Sequence, residues 1–139
     1  MRARRMSLSR SSNSACVIDA SALLALLHLE TGYEIVEQHL GQSVISSVNW
    51  SETLQKAVAK GIKTDNLKED LEALGLKIVP FTTEDAELAA HLWLQTKSIG
   101  LSLGDRACLA LGLRLGIPVI TADRTWSTLA IGVTVEVIR

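Results

Sequence analysis

No stretch of the chain approaches the roughly 18 consecutive apolar residues that cross a bilayer, so nothing in it reads as a membrane helix. The first residues, MRARRMSLSRSSNS, lack the hydrophobic core of a secretory signal. Cysteine is scarce: Cys16 and Cys108 lie far apart, without a C-x-x-C pair. That usage predicts two reduced, buried thiols in a cytoplasmic protein and no disulfide framework. Histidine is sparse too. His28, His39 and His91 are scattered over predicted helices with no metal-ligand spacing, and each is expected at the surface or half-buried. The chain has no Walker lysine motif, no G-x-G-x-x-G and no Ser-His-Asp set, which turns the reading away from nucleotide hydrolysis, dinucleotide binding and acyl transfer. Internal repeats and long linkers are absent as well.

What remains is a 139-residue chain, 47% hydrophobic and 21% charged, long enough for one domain with a substantial core. Its charge is unevenly spread. Arg2, Arg4, Arg5 and Arg10 are four of the 14 basic residues, and no acid precedes Asp19. The rest of the chain therefore carries 10 basic against 15 acidic residues, a net −5. Such a body does not bind nucleic acid through bulk charge, because counterion release needs clustered Lys and Arg. Any nucleic-acid chemistry must rest on a metal and a few local cations. Residues 1–14 are expected to be a disordered basic leader or an over-extended start upstream of Met6, its arginines either touching RNA or simply solvated. Residues 15–139 are the domain.

Residues 15–19 form a short β-favouring run that ends in Asp19, and an apolar helix follows over 22–27. A second short helix is expected over 31–40, with Glu34, Glu37 and Gln38 outward, then a strand over 43–46. Asn49 fits the N-cap of a helix running to about residue 60, with Glu52 as capping-box partner and Lys56 as its i,i+4 ion-pair partner. Another helix is expected over 63–74, and a strand over 77–80. A further helix, capped by Thr82 or Thr83, should bury Ala86, Leu88, Ala89, Leu92 and Trp93. Ser102 and Asp105 have capping-box spacing at the start of a helix that Gly116 and Pro118 stop, and a strand follows over 118–121. A last strand spans 133–137. Short apolar strands alternating with helices predict a three-layer α/β/α domain around a mostly parallel sheet of four to five strands.

Parallel strands joined by right-handed crossovers put every strand's carboxyl end, and the start of each following helix, at one edge of the sheet. Ligands of open α/β sheets bind there. Asp19, Glu52, Asp105 and Asp123 are all predicted at that edge, although each taken alone could serve as a helix cap or turn holder. Glu30, Glu37, Asp65, Glu69, Asp70, Glu72, Glu84 and Glu87 fall on exposed positions. Carboxylates brought together repel by about 3 kcal/mol per pair at about 5 Å and an effective dielectric near 20. A cluster of this kind persists only with a cation inside it or with some acids protonated. Oxygen-only donors favour Mg²⁺ or Mn²⁺ over zinc, and a sparse carboxylate cup leaves room for water and a substrate phosphate. That points to phosphoryl chemistry.

These residues, VIDAS at 17–21, ISSVNWSE at 45–52, LGD at 103–105 and TAD at 121–123, resemble the motifs of the PIN domain, most of all the VapC-type toxins of bacterial toxin–antitoxin pairs. No single motif is specific; the ordered set is. The resemblance covers residues 15–139 and implies a Mg²⁺- or Mn²⁺-dependent endoribonuclease with Asp19, Glu52, Asp105 and Asp123 as catalytic metal ligands. Asp19 and Asp105 would hold the metal most directly, and Asp123 and Glu52 would complete the cup through water or position the nucleophile. It also implies a homodimer and a separate antitoxin that blocks the acidic groove, for either of which the helix over 22–27 and the one after it offer a surface. Ser21, Asn49, Ser102 and Thr121 stand where they could hydrogen-bond the acids, or serve only as caps. Arg106 and Arg124 could meet RNA phosphate or pair with an acid. Trp50 and Trp126 could stack a base or pack in a core.

Two other readings compete. A non-catalytic PIN-like binding or scaffold module would keep the acids only as caps. A receiver or haloacid-type phosphotransfer domain needs a downstream lysine or a D-x-D pair, whereas Asp19 is followed by Ala20 and Ser21, and no lysine follows the fourth predicted strand.

Overall fold

The computed structural model describes residues 15–139, and the expected leader over 1–14 lies outside the described residues. Five short strands form one fully parallel sheet: β1 (Cys16–Ile18), β2 (Ser43–Ser46), β3 (Lys77–Val79), β4 (Val119–Thr121) and β5 (Val135–Val137). Their spatial order is β3-β2-β1-β4-β5. Successive side chains of a strand point to opposite faces. Cys16 and Ile18 accordingly enter one core while Val17 enters the other, and Ile120 and Val119 divide in the same way.

Helices cover both faces, as a parallel sheet requires. On one side lie α1 (Ala20–His28), α2 (Tyr33–His39) and α4 (Leu67–Ala73), packed through Leu23, Val36 and Leu71. On the other lie α5 (Thr83–Thr96) and α6 (Leu103–Leu115), packed through Leu92 and Leu109, with Trp126 of a later turn in the same core. Between the two sides, α3 (Ser47–Ala59) leads away from the edge where β2 ends. A fully buried leucine such as Leu23 or Leu109 contributes about 1.5–3 kcal/mol. This is the expected three-layer architecture.

From β1 the chain steps outward to β2 and β3, then returns to place β4 on β1's other side. The order reverses between β1 and β4, so a crevice opens beyond their carboxyl ends. The register fixes its floor: Val17 pairs with Val119 and Ile18 with Ile120.

Several expectations need correction. The helix predicted from residue 63 begins at Leu67, because Asn66 adopts φ +66°, which no right-handed helix contains. The helix predicted from Asn49 begins at Ser47, capped by Ser46, whose Oγ accepts from Val48 N at 3.2 Å. Asn49 is therefore no cap, and α3 has no acid in its first turn. Within α5 the buried positions are Asp85, Ala89, Leu92 and Thr96, while Ala86 and Trp93 are exposed. Trp93 instead carries Lys97 Nζ over its ring, 5.2 Å from the centroid. Asp85 can turn inward because Arg114 meets it, with Nη2 donating to Oδ2 at 3.2 Å. Of the apolar segment over 22–27, Ala22, Leu23 and Ala25 enter the chain's own core, Leu26 and Leu27 pack partly buried against it, and Leu24 lines a cavity.

Candidate active site

Asp19 directly follows β1 and caps α1. Its Oδ1 accepts from Ala22 N and from Ser21 Oγ, both at 2.8 Å, and its Oδ2 accepts from Thr121 Oγ1 at 2.6 Å. Thr121 ends β4, so the β1–β4 pairing sets that contact. The two hydroxyls also accept from the loop beyond β4: Ala122 N donates to Ser21 Oγ at 2.9 Å and Asp123 N to Thr121 Oγ1 at 3.0 Å. Asp19 thus ties both strand ends to the loop that carries Asp123. Its side chain is nearly inaccessible, and burial pushes its carboxyl up to about 6 against the pull of these hydrogen bonds, with the charge of Asp105 adding a little.

Asp105 sits in the first turn of α6 in the expected capping box: Ser102 N donates to Asp105 Oδ2 at 2.9 Å and Asp105 N to Ser102 Oγ at 3.1 Å. Asp123 caps the 3₁₀ turn Arg124–Thr128, accepting from Thr125 N at 2.9 Å and Thr125 Oγ1 at 2.7 Å. Glu52 lies in the second turn of α3 and holds no cap. Asn49 Nδ2 donates to Glu52 Oε1 and to Gly104 O, both at 2.9 Å, tying α3 to the start of α6. Glu52, Asp105 and Asp123 are half-buried.

All four predicted acids line one cleft of about 160 Å³, together with Ser21, Asn49 and Lys56. Burial raises the Cys108 thiol well above its ordinary value, and the charges of Asp19, Asp105 and Glu52 raise it further. Cys16 is likewise pushed up to about 11 by burial, so both buried thiols are free and unreactive. Among the described residues, however, no three His, Cys, Asp or Glu side chains close into a ready metal cage. The four acids border the cleft without three of them standing close enough together to enclose an ion.

Some expected neighbours take no part. Trp126 is fully buried in the core, out of reach of a base, and Trp50 packs partly buried against the opposite core. Neither arginine pairs with an acid: Arg106 Nη1 donates to Ala89 O at 2.7 Å and Arg124 Nε to Arg139 O at 2.9 Å. Lys56 forms no ion pair with Glu52; it lines the cleft instead. Sequence reasoning missed that placement, and it missed Gly104. A β-carbon on Gly104 would collide with the Glu52 carboxylate. The available signal was a glycine in the first turn of a helix, an unfavourable choice unless something must approach closely.

A parallel α/β domain with a carboxylate cleft at its topological switch point is thus defined. The chain belongs to the PIN domain family, whose model matches residues 16–132. It is similar in structure to a toxin–antitoxin complex from Klebsiella pneumoniae (TM-score 0.70, 21% identity, covering 86% of this chain and 95% of that one). It is also similar to FitAcB from Neisseria gonorrhoeae (TM-score 0.66, 22% identity, 86% and 95% covered). A third likeness is to VapC20 of Mycobacterium tuberculosis, a sarcin–ricin-loop-cleaving toxin (TM-score 0.67, 16% identity, 86% and 98% covered). At these identities the likeness speaks to the fold. No curated protein matches the sequence significantly. Among the described residues no helix is long and apolar enough to cross a membrane.

Proposed function

We propose that the chain is a Mg²⁺- or Mn²⁺-dependent endoribonuclease and the toxin of a toxin–antitoxin pair. The observation that carries this reading is the convergence of Asp19, Glu52, Asp105 and Asp123 on one cleft in which Lys56 is the sole cationic side chain among the lining residues. Further support comes from neighbours described as toxin–antitoxin complexes and from one described as a toxin that cleaves an RNA loop. A cognate antitoxin and a second copy of the chain are the partners this reading brings with it.

The donor set suits a hard cation, since every candidate ligand is an oxygen. Mg²⁺ is commonly held by one or two carboxylates with water completing the shell, which an open cleft without a closed cage allows. Asp19 and Asp105 would hold such an ion, with Asp123 and Glu52 reaching it through water or positioning the nucleophile. When bound, the ion supplies activated water and neutralises charge at the phosphate. The chain's own contribution is orientation. Ser21 and Thr121 fix both oxygens of Asp19, and Asn49 holds Glu52. Half-buried Glu52, Asp105 and Asp123 stay within reach of water and substrate.

The scaffold reading draws on the cap bonds, since Asp19, Asp105 and Asp123 each have one. Glu52 separates the two readings because it caps nothing. The test is cleavage of a defined RNA with Mn²⁺, with EDTA, and by Asp105→Asn and Glu52→Gln. Activity should vanish with EDTA and fall by orders of magnitude in both variants. Equal cleavage by the variants would reject the assignment. Expression without a partner should arrest host growth, and Asp19→Ala should relieve the arrest.

A further inference from the structure

A second cavity, about 260 Å³, adjoins the acidic cleft and shares Ser21 and Lys56 with it. Its charge is of the opposite sign. Lys56 in the last turn of α3 and Lys60, its C-cap, stand one helical turn apart and Arg139 lines the same cavity, while Glu30 is the single acid in the lining. Glu30 is already engaged, because Arg139 Nη1 donates to its Oε1 at 3.2 Å. Among the described residues neither Lys56 nor Lys60 has an ion-pair partner. The cavity therefore presents two uncommitted ammonium groups, on a body whose 10 basic and 15 acidic residues leave it at −5. Leu24 and Ala59 give its wall an apolar portion. His28 lines it too, with Nε2 buried and lacking a hydrogen-bond partner.

We infer that this cavity is an RNA subsite, in which Lys56 and Lys60 hold the phosphate neighbouring the scissile one and Leu24 and Ala59 contact the nucleoside it carries. The inference rests on the ribonuclease reading and extends it. A strand whose phosphate lies among Asp19, Glu52 and Asp105 and that leaves the cleft past Lys56 enters this cavity, because Lys56 and Ser21 border both. The flanking phosphates of that strand gain nothing from an acidic surface, so two unpaired lysines at the exit supply the local cations that bulk charge withholds. An acidic peptide fits the lysines but would bring carboxylates against the acidic cleft, which disfavours it.

Lys60 provides the clean test, because it lines this cavity and not the cleft, and its side chain is exposed at the end of α3. Binding of a labelled single-stranded RNA octamer to Asp105→Asn protein would be followed by anisotropy across a salt series in Mg²⁺, beside cleavage by the parent chain. Lys60→Gln should weaken binding about threefold and lower the slope of log K against log salt by about 0.7, the value for one single-strand phosphate contact. Lys60→Glu should weaken it about tenfold, and Lys68→Gln, at an exposed position of α4, should leave it unchanged. Unchanged affinity and slope in Lys60→Glu would overturn the subsite and return the cavity to a protein ligand. Lys60-dependent binding without any cleavage by the parent chain would uphold the subsite while rejecting the nuclease assignment.

Discussion

Two buried aspartates, Asp85 in a helix interface and Asp19 at the end of β1, have opposite fates. Asp85 turns into the α5–α6 interface, fully inaccessible, and meets the guanidinium of Arg114, which its hydrogen bond holds above the ordinary arginine range. Asp19 is 4% exposed and has no cation, only the hydroxyls of Ser21 and Thr121 and one backbone amide. Burial costs a carboxylate several kcal/mol unless a charge answers it. The chain answers Asp85 from its own sequence and leaves Asp19 for something else to answer. A closed pair reads as structure, and an open charge at a cleft reads as a place for a cation.

Substitutions can break that contrast, and the largest effect is expected where the open charge is removed. Asp19→Asn keeps a hydrogen-bonding side chain of the same shape, yet RNA cleavage should fall by two or more orders of magnitude, measured as single-turnover rate in Mn²⁺. The same change should raise the stability of metal-free protein by up to about 3 kcal/mol near neutral pH, the energy of holding a carboxyl near 6 instead of 3.8. A variant no more stable than its parent would show that Asp19 carries no stored penalty.

Breaking the closed pair should act the other way. Arg114→Met leaves Asp85 buried and unanswered, a loss of about 3 kcal/mol, at the low end of such cases because Arg114 is partly exposed. Melting should drop by about 10 °C while the rise produced by Mn²⁺ is retained. Loss of the Mn²⁺ response would mean that the two sites are coupled.

The pH dependence sharpens the comparison further. Asp19 has a folded-state value raised to about 6 above an ordinary 3.8, so its contribution is fully present below about pH 3.8 and is lost as pH rises through 6. Relative to Asp19→Asn, metal-free protein should lose about 2 kcal/mol between pH 4 and 7.5 in urea titrations. Parent protein that gains stability relative to the variant as pH rises would reverse the assignment. The smallest effect is expected at Asn49→Ala, which removes the bonds to Glu52 and Gly104 O; a loss of about 1–2 kcal/mol is expected, with weakened cleavage. Unchanged cleavage would separate Glu52's position from Asn49.

Much of this was legible in the sequence, and the parts that were share a cause. The Ser102–Asp105 box, the Gly116 stop and the strand alternation depend on residues a few positions apart, so local rules reach them. The switch-point placement of Asp19 and Asp123 followed from chain order alone. Asn49 was misread because its spacing to Glu52 imitates a cap, whereas its decisive partner, Gly104 O, is 55 residues away. Asp85 hides in the same way: Thr82 and Asp85 form a capping box that any reader would place at the surface, and only Arg114, 29 residues on, explains its burial. Lys56 looked like half of a helix ion pair until the fold set it in the cleft wall.

Gly104 has no functional group, yet its bare α-carbon leaves the space that the Glu52 carboxylate occupies. Because its α-carbon is bare, α6 settles against α3 until Glu52 and Asp105 border the same space. One methyl group there would push the Glu52 carboxylate from its place beside Asn49, moving one acid of the cleft without substituting it. An inventory of intact carboxylates would not reveal such a change.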